Sequence, residues 1–149
     1  MQGDRPLLFL HWTWRAIGVW ATFIFVDLSV AQTVTETSEL TFGTASQGSP
    51  AKVVSSGTRE NSENASFRVD GPPNQSFTVV LPAGSVVISA PVGGVNTIEI
   101  SEFRAFPFPN SALSRDGRRT IFVGATRAAL ATNQATGSYA GSYTIEILF

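Results

Sequence analysis

The chain has 149 residues, enough for one domain with a hydrophobic core. Charged residues make up 14% of it and apolar residues 43%, which argues against long charged helices. The formal net charge is −1 and there is no cysteine, which argues against a nucleic-acid or membrane-binding surface and excludes a disulfide scaffold.

Met1 to Ala31 reads as a secretory signal peptide. Arg5 and Arg15 precede the apolar run Ala16 to Val26, and Ser29-Val30-Ala31 puts small residues at a cleavage site. The mature domain is then residues 32–149. The other reading of the leader is an uncleaved anchor, with Trp12, Trp14 and Trp20 as an interfacial belt. The leader holds the only His (His11), the only Met and all three Trp, so the mature chain has none of these.

Thr33 to Gly43 predicts one or two short strands, with Leu40 and Phe42 on one face. Thr44 to Pro50 is a loop of small residues. Ala51 to Ser56 is a short strand, and Gly57 to Asn64 a solvated polar turn. Ala65 to Val69 is a strand with Phe67 and Val69 inward. Asp70 to Asn74 holds two prolines and makes a hard turn. Ser76 to Leu81 and Ser85 to Ser89 are strands joined by Pro82-Ala83-Gly84.

Asn96 to Phe106 alternates, with Ile98 and Ile100 on one side. A change of phase near Glu102 points to a bulge. Asp116-Gly117 suits the tip of a hairpin. Thr120 to Leu130 is a strand in which Gly124 marks a bulge or a close backbone approach. The chain ends on SYAGSYTIEILF, where Tyr143, Ile145, Ile147 and Phe149 share one face of a closing strand.

Seven or eight strands with turn signals about every eight to twelve residues predict an all-β domain, an antiparallel sandwich of immunoglobulin-like type or a small barrel. The immunoglobulin-like β-sandwich is the preferred reading on base rates.

Three pieces occur in order: LTFG (Leu40 to Gly43), ASFRVDGPPNQSFTVVLP (Ala65 to Pro82), and VGATRAAL followed by QATGSYAGSYTIEILF (Val123 to Phe149). Together they resemble the bacterial secreted domain-of-unknown-function family numbered forty-four oh two. Its members share an early L-x-F-G, a central F-x-V-x-G then F-x-V-x-L-P, and a late V-G-A-x-L with a G-x-Y-x-G-x-Y-x-I-x-V ending. Here Arg127-Ala128-Ala129 lengthens the V-G-A-x-L piece. The resemblance implies a secreted, surface-associated subunit similar in pattern to fimbrial and pilin-type sandwiches. It implies no catalytic residue.

The residues themselves offer little chemistry. Ser–His and Cys–His nucleophiles need a base that the mature chain lacks. Zinc needs His or Cys, and no calcium loop is present, so neither a metal nor another cofactor is expected. The carboxylate pairs Glu99/Glu102 and Glu60/Glu63 are the nearest to a glycosidase arrangement. Residues three apart on a strand face opposite ways unless a bulge intervenes, and Glu60/Glu63 sits in the polar turn. The expectation is a protein that is not an enzyme. Asn64-Ala65-Ser66 and Asn74-Gln75-Ser76 match the N-glycosylation pattern.

Two functions follow as expectations. The first is a structural subunit of a surface fibre, built by β-strand addition, in the periplasm or outside the cell. Gln32 to Leu40, with Val34 and Leu40, is its donor strand. Tyr143, Ile145, Ile147 and Phe149 form the acceptor or closing strand. Its partners are further copies or a related surface subunit, with a periplasmic chaperone during export. The second is a monomeric adhesin or glycan- or protein-binding module. Phe106, Phe108, Arg118 and Arg119 would make its surface contact.

Overall fold

A computed structural model describes residues 31–91 and 93–149. Nearly all of the leader therefore lies outside the described residues, and with it the signal-peptide assignment. The described chain is all β, with no helix.

Nine strands are described: β1 (Thr33–Ser38), β2 (Lys52–Val54), β3 (Ala65–Asp70), β4 (Ser76–Val80), β5 (Val86–Ser89), β6 (Thr97–Phe106), β7 (Asn110–Ala112), β8 (Arg118–Arg127) and β9 (Glu146–Leu148). They form two antiparallel sheets. The large sheet has the order β1-β3-β8-β6-β5, with β2 also on β8. The small sheet has the order β7-β4-β9. The count is one above the expected range because β7 follows directly on the Pro-rich stretch, where no alternation announces it.

Long β8 is the spine. One edge pairs with β6, and the other is shared by two short strands in succession. β3 takes Arg118 to Val123, and β2 takes Ala125 to Arg127. Gly124 lies at the handover and is fully enclosed by backbone. A β-carbon there would run into the Val54 carbonyl and lie 2.5 Å from the Ser56 nitrogen. The close approach expected from a glycine inside a strand is thus present.

Period-two alternation sorts the side chains. Ala65, Phe67 and Val69 of β3 and Ile121 and Val123 of β8 face Phe77 and Val79 of β4 in one core. The bulge expected in β6 is there: the ladder to β8 skips between Ser101 and Arg104, and Glu102 sits at φ 50°. The extra residue keeps Ile98 and Ile100 inward before it and Phe103 and Ala105 inward after it.

Three expectations need correction. The Ser114–Gly117 turn forms, with the Gly117 amide donating to Ser114 O, but it joins β7 of one sheet to β8 of the other and is no hairpin. The strand expected through Leu130 stops at Arg127. The closing strand is paired only over Glu146–Leu148. Tyr143 and Ile145 keep the inward phase and pack on the core, yet they lie outside any ladder.

Candidate functional site

The small sheet is too short to cover the large one. Beyond it, Ile98, Ile100 and Ala125 form a second buried cluster, roofed by coil rather than strand. Leu40, Phe42, Leu130 and Tyr139 come down on it from two coils. The first is the small-residue stretch Glu39 to Gln47. The second runs from Leu130 to Tyr143. Between the coils and the sheet lies a cavity of about 760 Å³.

The roof is held by specific bonds. Gly43 and Gly48 take positive φ of 64° and 71°, which lets the first coil turn back on itself. Its far end is tied to the second coil by Gly48 N to Ala131 O (3.0 Å) and Leu130 N to Ser49 O (2.8 Å). Gln47 Nε2 donates to Gln134 O. Gln134 is itself buried, with its amide nitrogen 2.8 Å from both Val95 O and Tyr139 Oη. Near the end of this second coil, Ala140 makes both hydrogen bonds of a single bridge to Ser89 of β5.

Charge enters the cavity at Arg127, which is only 5% exposed. Its Nη2 donates to Pro50 O at 2.6 Å, while its Nε has no hydrogen-bond partner among the described residues. Lys52 stands directly opposite on β2. The Lys52 ammonium bonds Glu63 at 2.5 Å and Phe42 O at 3.0 Å. Two cations therefore sit side by side, and the nearby carboxylate serves only Lys52. Glu39 also lines the cavity but is exposed and makes no ion pair among the described residues.

Tyr143 lines the same cavity, stacked on Phe103 at 5.2 Å and edge-on to Phe67 at 6.5 Å. Its hydroxyl is buried without a partner among the described residues. Burial pushes its pKa well up, and the Glu36 charge adds to the rise.

The residues singled out in the sequence fall in several places. Val34 faces Val69 across the β1–β3 ladder and stays 46% exposed. Leu40 is packed against both core clusters. Tyr143, Ile145 and Ile147 line the core, and Phe149 leans on Phe77 at 6.0 Å. Phe106 pairs with Phe122 on the outer face of the large sheet, and Phe108, in the coil after β6, is exposed.

Arg118 shares that outer face, four residues or about 13 Å along β8 from Phe122, and bonds Asp70 at 3.2 Å. Asp70 also holds Arg68, at 2.7 Å. Arg119 alternates to the other face, so the two arginines do not form one patch with the phenylalanines. At the turn below, the Ser114 hydroxyl holds the Asp116 carboxyl below its ordinary range.

The Gly57–Asn64 turn is only partly solvated, as Asn64 is fully buried and Glu63 is paired with Lys52. The cavity residues Arg127 and Gln134, and Lys52 beside Arg127, carried no distinguishing signal in the sequence.

No curated protein and no solved structure matches this chain. A family model matches residues 32–149, which is the whole region built into the two sheets and their coils. The chain therefore belongs to the family described as Domain of unknown function (DUF4402).

Proposed function

We propose that this protein is a secreted bacterial surface subunit, an immunoglobulin-like sandwich of the fimbrial type, that assembles by exchanging its first strand between copies. The observation that supports this reading is the way β1 is attached. It is an edge strand, and of its six residues only Ser38 is even half-buried. Its apolar contribution is Val34 alone.

What holds β1 is main-chain pairing with β3 and a cluster of hydroxyls. Thr37 Oγ1 and Ser38 Oγ lie 2.7 and 2.8 Å from the buried Ser66 Oγ. Such a strand detaches at small cost in buried apolar area and re-forms the same ladder on another copy. Repeated head to tail, that exchange makes an open chain of subunits. Leu40, the second donor residue expected from the sequence, is anchored in the core, so the hinge of the exchange lies between Ser38 and Leu40.

The experiment is a cross-link. Thr35 stands opposite Arg68 across the ladder, and the chain has no cysteine of its own. Thr35→Cys and Arg68→Cys are made in separate chains and co-expressed. Exchange gives a disulfide-linked heterodimer on a non-reducing gel. If the mixed chains never link, while the double variant closes within one chain, the reading is wrong.

The second reading, a monomeric adhesin or glycan- or protein-binding module, draws on the exposed Phe106 and Phe108. Its test is a glycan array read with the parent and with Phe106→Ala and Phe108→Ala. Absence of binding by the parent removes its main support.

A further inference from the structure

We infer that the cavity under the two coils is a binding site for a small apolar carboxylate, with the Arg127 guanidinium as its anion seat. Both buried side-chain polar atoms that lack a partner among the described residues, Arg127 Nε and Tyr143 Oη, belong to residues lining this one cavity. Arg127 is only 5% exposed, and beyond its bond to Pro50 O its guanidinium has no carboxylate among the described residues. A buried charge of that kind is costly, and proteins normally match one with a carboxylate. Among the described residues none supplies it: Glu63 is taken by Lys52, Asp70 lies on the outer face with Arg68 and Arg118, and Glu39, which lines the cavity, is exposed and makes no ion pair with Arg127. A ligand carboxylate fills that role with charge-assisted hydrogen bonds.

The rest of the cavity fits the rest of such a ligand. Phe42, Ile88, Ile98 and Leu130 give it apolar walls. Its volume of about 760 Å³ falls among small-molecule sites, which run from about 300 to 1,000 Å³. An extended protein segment is the less suitable occupant. The coils roof the sheet here, and the free edge of β5 is already bridged at Ser89 by Ala140. The cavity's first coil begins at Glu39, directly after β1, but the anion seat at Arg127 is on β8, so the two readings are tested separately.

Decanoate and decan-1-ol are the probes, titrated into the intact protein and followed by methyl NMR. Decanoate is expected to bind at least about tenfold more tightly than the alcohol, the size of one charge-assisted pair. The shifts should centre on Leu40, Ile88 and Leu130. Arg127→Gln should remove the preference for the acid while leaving the apolar contribution. Equal affinity for acid and alcohol, shifts elsewhere, or no binding of either overturns the inference. The comparison in the parent protein decides the matter even if Arg127→Gln does not fold. Dimers in the cross-linking experiment bear only on strand exchange.

Discussion

The carbonyl oxygen of Val54 sits so close to Gly124 that a β-carbon on the glycine would overlap it. The contact occurs where β8 changes partner from β3 to β2, so it fixes the point at which the chain leaves one strand and enters the other. Backbone lies on the far side, and no side chain is free to move aside. Gly124→Ala is therefore expected to cost about 3 kcal/mol, the upper end of what overpacked interiors cost, because only backbone can give way. Gly84→Ala is the control, since nothing lies within 4 Å of its added carbon. Thermal melts of both variants check this. A loss below about 1 kcal/mol at Gly124 would show that the contact is looser than described.

Asn64 holds the turn between β2 and β3 together. Its Nδ2 donates to Ser56 O at 2.7 Å and to Arg59 O at 2.9 Å, and its Oδ1 accepts from Asn61 N at 2.9 Å. Asn64→Ala leaves three backbone groups without partners, at a cost of about 2 kcal/mol or more. The same burial closes the Asn64-Ala65-Ser66 sequon. In a glycosylating host only the exposed Asn74 should carry sugar, and peptide mass spectrometry reads this directly. Glycan on Asn64 of folded protein would contradict the burial.

The hydroxyl cluster under β1 gives a third expectation. The bulge between Glu36 and Ser38 turns both Thr37 and Ser38 onto Ser66. Ser66→Ala removes the shared partner but leaves the ladder. Amides of β1 should exchange hydrogen several-fold faster while those of β8 barely change, because edge elements open locally. Equal acceleration in both strands would mean that Ser66 supports the whole fold rather than β1.

Much of this architecture was legible because it rests on local rules. Alternation gave the inward faces of β3 and β6, and the phase change at Glu102 gave the bulge. The glycine inside β8 announced a close approach. Non-local geometry left weaker marks. β7 is three residues of Asn-Ser-Ala, set beside β4 by the turn from the Pro-rich stretch rather than by any pattern of its own. Asp116-Gly117 shows that a tight turn forms but not which sheets it joins. Arg127 falls inside the strand expected over Thr120 to Leu130, with nothing in the pattern to mark it as buried. It is buried only because two distant coils close over it, a tertiary fact that spacing does not encode.

Tyr143 supplies the last prediction. Its ring is packed between Phe67 and Phe103, but its buried hydroxyl has no partner among the described residues. Removing an unbonded hydroxyl while keeping the ring should cost nothing near pH 7, so Tyr143→Phe is expected to match or exceed the parent in stability. The two should part in alkali. Burial, helped by the Glu36 charge, raises the tyrosine pKa in the folded state above its ordinary value of 10.0. The unfolded chain then loses this proton first. Stability that is complete below about pH 10 declines as pH rises toward the folded-state value. Tyr143→Phe has no proton to lose and should lack that part of the decline. Urea unfolding of parent and variant between pH 8 and 11 measures the difference. Parallel curves would mean that the hydroxyl reaches solvent. A variant weaker by more than about 1 kcal/mol at pH 7 would mean that the hydroxyl has found a partner.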